Sequence, residues 1–175
     1  MMTLDELYAV EINSKAAELA FNQSEKRIED LLSAKSAFET KATALLGVYT
    51  TIAVALFTAA WTVSFMEGFA QLAVAVWLSG LFFLVGSIFY VLSFRSQAYA
   101  LMGVDPEMWL RKTVIDGDDS AVARNLTYIA HFHAQRIATS LASNRRKSLF
   151  IELGIWTGAL APLPIFLLFL FHLPR

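Results

Sequence analysis

The 175-residue chain predicts an all-α fold: an integral membrane helical bundle with three transmembrane helices and long helical cytoplasmic extensions. Three observations carry that prediction. The composition is 57% hydrophobic with a mean hydropathy of +0.53, above that of an ordinary soluble domain. Three runs are apolar for long enough to cross a bilayer, which takes roughly 20 residues of helix. Helix breakers are also few: the prolines fall at positions 106, 162, 164 and 174, and Gly47 is the one glycine between Leu4 and Met66. Three such spans leave no polar shell to wrap them as buried helices of a soluble core.

The elements follow in order. Residues 1–43 place Leu4, Leu7, Tyr8, Ile12, Ala16, Leu19 and Ala20 at three- and four-residue steps, and Ile28, Leu31, Leu32 and Phe38 resume the pattern. That is an amphipathic cytoplasmic helix, or two with a bend near "FNQS" (21–24), leading into the first span. Residues 44–94 form a transmembrane hairpin whose spans, 44–66 and 69–94, are joined by the turn "EGF". The second span runs on past Arg95 to about Met102, where Gly103 stops it. Asp105, Pro106 and Glu107 read as a new helix start, with Asp as cap and Pro in the first turn. "DGDDS" (116–120) is a break, with Asp119 or Ser120 capping a helix that meets no proline before Pro162. Residues 95–148 are thus a cytoplasmic helical region, and 149–173 a third transmembrane helix interrupted only by Glu152. The whole reads as one structural unit.

Charge sets the topology. Lys15, Lys26, Arg27, Lys35 and Lys41 precede the first span. Arg95, Arg111, Lys112, Arg124, Arg136, Arg145, Arg146 and Lys147 lie between the second and third, and only Arg175 lies beyond. Basic residues resist translocation, so that crowded side is expected to be the cytoplasm, with a cytoplasmic N-terminus and a periplasmic C-terminus. The polar-amphipathic opening is not a secretory signal, so targeting falls to the first span. Absence of cysteine removes disulfides and thiolate metal sites.

Few residues carry a chemical suggestion. In "RNLTYIAHFH" (124–133), Arg124, Tyr128, His131 and Gln135 share a polar stripe, while Leu126, Ile129, Ala130, His133, Ile137 and Leu141 form an apolar one. His131 and His133, two apart on a helix, point in nearly opposite directions and cannot chelate one metal; no metal site is expected. Arg124 and His131 fit the loose Arg-x(4–6)-His pattern of HEPN ribonucleases. They are about 10 Å apart along the axis, however, too far to serve one phosphate within one chain. As catalytic candidates they would need a site composed from two subunits; as an ordinary polar face they would bind a partner. "DGDDS" lacks the alternating ligands and closing Glu of a calcium loop. No phosphate loop, serine elbow or zinc spacing occurs, so no enzyme and no cofactor is expected, and nothing points to nucleic acid.

At the third span, Arg145, Arg146 and Lys147 read as a membrane-surface anchor on anionic headgroups. Glu152 lies a turn inside the hydrocarbon edge, where charge is costly and faces a partner or water. It is either an interfacial carboxylate paired with Arg145 or Arg95, or a pore-mouth or subunit-contact group. Gly154 and Gly158 form a GxxxG step and Ala55 and Ala59 a small-xxx-small step, which let helix backbones approach in lipid. Pro162 and Pro164 should kink the third span.

The junction 34–56, "AKSAFETKATALLGVYTTIAVAL", opens the first span with Glu39, Lys41, Leu45, Leu46 and Gly47 after an amphipathic segment. In this and in layout the chain resembles the SLATT-type membrane effectors of bacterial anti-phage systems such as CBASS and Pycsar, although it lacks a fused nucleotide-sensing domain. The resemblance implies an inner-membrane protein that assembles as a homo-oligomer and perturbs or gates the bilayer when infection is sensed. A second expectation is a membrane-tethered scaffold recruiting a cytosolic defence partner through Arg124, Tyr128, His131 and Gln135. A third is the HEPN-like ribonuclease with its site between subunits.

Overall fold

The computed structural model describes residues 13–95 and 119–172. The readings placed on residues 1–12, on Met102, Gly103, Asp105, Pro106, Glu107, Arg111, Lys112 and most of "DGDDS", and on the final three residues lie outside the described residues. Four helices make up the described chain: α1 (Ser14–Ser64), α2 (Ala70–Ser93), α3 (Asp119–Leu160) and α4 (Leu163–His172). There is no strand among the described residues. Three helical stretches, Ser14–Ser64, Ala70–Ser93 and Asp119–Phe171, are long and apolar enough to cross a membrane. The chain is a multi-pass membrane protein.

Local chemistry explains where the helices begin and end. The Asn13 side-chain oxygen accepts the backbone N–H groups of Lys15 and Ala16 at 3.0 and 3.4 Å, capping α1. α1 is continuous through 21–24, where a bend was one expectation: Ser24 donates to the Phe21 carbonyl at 2.7 Å and keeps its hydroxyl within the helix. After Ser64 the chain reverses through Gly68, whose φ of +82° suits a residue without a Cβ. α3 stops at Leu160 because Pro162 and Pro164 bring no N–H to its ladder. The chain turns at Ala161 and Pro162, and Phe166 N–H picks up the Pro162 carbonyl at 3.0 Å to start α4.

The chain divides into two compact units, residues 1–35 with 97–144 and residues 36–96 with 145–175. Each contains one stretch of α1 packed on one stretch of α3. In the first unit Ser24 reaches His133 and Asn144 reaches the Leu31 carbonyl, partners 109 and 113 residues apart. In the second, Glu39 meets Lys147, 108 residues on, and Tyr49 lies against Gly158. Within each unit the partners advance together along both helices, so α1 and α3 run parallel.

In the first unit Ala17, Ile28, Ala123, Ile129 and His133 are buried, and Phe21, Ser24, Leu31, Leu126 and Ile137 are half-buried. On α3 the buried seam then steps to Ser140 and Asn144. Leu141, expected in the apolar stripe, is 47% exposed. The reason is the period: inward positions recur at steps of three or four residues, 126–129–133–137–140–144, and Leu141 falls one place off that series.

In the second unit the same spacing continues along α1 through Phe38, Ala42, Leu45, Tyr49, Ile52 and Leu56, and along α3 through Lys147, Ile151, Gly154, Gly158 and Ala161. α2 runs antiparallel to α1: Tyr49 lies against Gly86, Thr50 Oγ1 is 3.5 Å from Ser87 Oγ, and Phe57 lies against Gly80. α2 also packs along α4. Several threonine and serine hydroxyls in the spans are satisfied within their own helices, as lipid favours. Thr51, Thr58 and Thr62 donate to carbonyls four residues back, and so do Ser79 and Ser87.

Candidate functional site

The residues that decide how the second unit packs are two tyrosines held in glycine slots. Tyr90 is fully buried against Gly154, where a Cβ would stand 2.5 Å from its ring. Tyr49 fills the space over Gly158 and Gly86, where a Cβ would clash with its hydroxyl and ring. The two rings meet edge to face at 5.0 Å, and Phe83 meets Tyr49 the same way at 5.1 Å. Such contacts add about 0.5–1.5 kcal/mol each to the burial. The Tyr49 hydroxyl makes a long hydrogen bond of 3.5 Å to the Ile155 carbonyl, while the buried Tyr90 hydroxyl has no hydrogen-bond partner among the described residues. The GxxxG step at Gly154 and Gly158 is therefore used within the chain, to admit aromatic rings from α1 and α2.

About two turns before Gly154 along α3, at the end of the spans nearer residues 36–41, lies an ion pair. Lys147 Nζ is 2.6 Å from Glu39 Oε1; Lys147 is 3% exposed and Glu39 39%. This corrects the expectation that Lys147 anchors the chain on headgroups together with Arg145 and Arg146. Successive helix residues point about 100° apart, so the run of three cannot share one face. Arg145 and Arg146 are exposed, and Lys147 takes the seam position between Asn144 and Ile151. Glu39, met in the sequence only as part of the junction motif, is its counter-ion.

Glu152 is exposed and makes no ion pair with Arg145 or Arg95, both of which are exposed as well. Ala55, Ala59 and Pro162 are likewise exposed, so the small-residue step in α1 is not used within the chain.

In the first unit His133 is 1% exposed, its Nδ1 2.8 Å from Ser24 Oγ and its ring stacked on Phe21 at 5.9 Å. Its Nε2 has no hydrogen-bond partner. Burial holds its pKa below the ordinary histidine value, and Glu25 offsets this in part while Arg136 adds to it. Of the expected partner-binding face, Arg124 and Gln135 are exposed and Tyr128 and His131 half-buried, with Tyr128 packed on Phe132 at 4.9 Å. Arg124 and His131 occupy α3 two turns apart. No group of His, Asp and Glu able to hold a metal occurs among the described residues.

Sequence reading missed Tyr49, Tyr90, Gly80, Gly86 and the inward turn of Lys147. The signal was present: the alternating three- and four-residue series passes through Tyr49 on α1 and through Lys147, Gly154 and Gly158 on α3.

Comparison with protein-family models, with curated proteins and with solved structures finds no match to this chain.

Proposed function

We propose that this protein is a homo-oligomeric effector of the bacterial inner membrane that perturbs or gates the bilayer in anti-phage defence, with its N-terminus cytoplasmic and its C-terminus periplasmic. The observation that carries the reading is Glu152: an exposed carboxylate inside a membrane-crossing helix, without an ion pair among the described residues. A charge at the centre of a crossing costs roughly 2.5–3.5 kcal/mol and less toward the edge, and ionisable residues within crossings face protein or water. The break at Ala161 and Pro162 supports the same reading, because it divides the third crossing into two helices that can reorient against each other. Resemblance to SLATT-type effectors supplies the biological setting, and Arg145 and Arg146 would hold the cytoplasmic edge on anionic headgroups.

Depolarisation of cells expressing the protein under phage challenge tests this. The wild-type chain is expected to collapse the membrane potential, and Glu152→Gln to lower the rate at least tenfold at equal protein level. An unchanged potential in challenged wild-type cells would overturn the reading. It would favour a membrane-tethered scaffold that recruits a cytosolic partner, for which the exposed Arg124 and Gln135 are the supporting observation. A between-subunit ribonuclease using Arg124 and His131 has only the sequence pattern in its favour. It predicts RNA cleavage that is lost in Arg124→Ala and in His131→Ala.

A further inference from the structure

In the second unit α2 covers only one side of the parallel α1/α3 pair. It meets α1 at Tyr49, Thr50 and Phe57 and α3 at Gly154 and Thr157. On α1, Thr50 and Phe57 follow the seam positions Tyr49 and Leu56 by one; on α3, Thr157 precedes the seam position Gly158 by one. In a parallel pair the residues on the opposite flanks border a second groove. Those residues are Lys41, Val48, Ala55 and Thr62 on α1 and Arg145, Glu152 and Ala159 on α3, each set at seven-residue spacing and each residue exposed. Beyond its charged end and Val48, this groove is floored by the small side chains of Ala55, Thr62 and Ala159.

The outer face of α2 has the complementary shape. Val74, Leu81, Ile88 and Arg95 stand in line at the same seven-residue spacing, all exposed and, but for Arg95, bulky and apolar. The depths agree as well. In the antiparallel register set by Phe57 on Gly80 and Thr50 beside Ser87, Val48 lies level with Ile88, Ala55 with Leu81 and Thr62 with Val74. Arg95 lies level with Lys41. Glu152 is within one turn of both, since Lys147 is level with Glu39 and Gly158 with Tyr49.

We propose that the α2 ridge of a second copy of this chain, in the same membrane orientation, docks in the groove between α1 and α3, with Arg95 of the second copy paired to Glu152. The assignment rests on the homo-oligomer reading above and names its interface. One opposite-charge pair, Glu152 with Arg95, selects the occupant. Glu152 and Arg95 each have no ion pair among the described residues and meet at one depth between neighbours. Small side chains opposite a ridge give the close backbone approach that drives helix association in lipid. Groove and ridge are different surfaces of one chain, so the contact is head-to-tail and propagates from copy to copy until it closes in a ring.

The natural absence of cysteine makes the test direct. Val48→Cys and Ile88→Cys are combined in one chain and oxidised in native membranes, with the two single variants alongside. The expected result is a ladder of disulfide-linked multimers from the double variant and only monomer from either single one. Glu152→Arg in that background should reduce ladder yield about tenfold, and adding Arg95→Glu should restore it. Dimers from either single variant would overturn the head-to-tail contact, because they require a like-with-like face. Particle mass in lipid nanodiscs separates the remaining outcomes: a multimer without a ladder refutes this interface alone, and a monomer refutes both the interface and the oligomer reading.

Discussion

The α1/α3 seam is built from different materials in the two units, on one helical period. In the first unit it carries polar groups: Ser24 on His133, and Asn144 donating to the Leu31 carbonyl at 3.0 Å. In the second it is tyrosine rings in glycine slots, with the Lys147–Glu39 ion pair at one end. The difference follows solvent. Beside water, burial of Ile28 and Ile129 already draws helices together, and polar seam residues fix register at modest cost. Within lipid, apolar surface gains nothing by leaving the hydrocarbon, so helices associate through close packing, which glycine permits and a ring completes.

The largest effect expected from this contrast is at Gly158. Replacement by Leu puts a branched side chain where the Tyr49 ring and hydroxyl now lie, and should destabilise the second unit by more than about 3 kcal/mol. Gly47, with open space around it, should tolerate Leu within about 0.5 kcal/mol. Thermal unfolding of both variants in nanodiscs compares them; equal melting temperatures would show that the glycine slots do not hold the unit.

Next comes the ion pair. Lys147→Ala removes the 2.6 Å counter-ion of Glu39 and should cost roughly 1–3 kcal/mol, less than a fully buried pair because Glu39 keeps contact with solvent. Lys147→Met with Glu39→Leu should recover most of that loss. A double variant no better than the single one would mean that the ion pair itself, and not the relief of an uncompensated charge, holds the seam.

The smallest effect is pH dependence in the first unit. Burial lowers the His133 pKa, so the unfolded chain binds the proton first as pH falls. The stabilisation of the folded state is complete above about pH 6.5, the ordinary histidine value, and is lost as pH drops below it. Unfolding followed from pH 7.5 to 5 should show that loss in the wild-type chain and a flatter profile in His133→Leu. Identical slopes would remove His133 as the cause.

Much of this architecture was legible in the sequence. The spans were readable because twenty apolar residues in a row have few other uses, and the hairpin because Glu67 and Gly68 interrupt them. The inward place of His133 was readable from its apolar neighbours. Lys147 was not, because three consecutive basic residues read as one surface patch until the partner helix shows which of them its seam receives. Nor was the partner of Gly154 and Gly158. A GxxxG step announces a close approach without saying what approaches, and here Tyr90 and Tyr49 arrive from two other helices.

The three-crossing architecture is the premise of everything above, and single-cysteine labelling tests it most directly. In intact cells a membrane-impermeant maleimide should modify Glu67→Cys, in the hairpin turn. Ser148→Cys and Ser36→Cys, at the other end of the spans, should react only after lysis. Labelling of Ser148→Cys or Ser36→Cys in intact cells, or protection of Glu67→Cys there, would contradict the account.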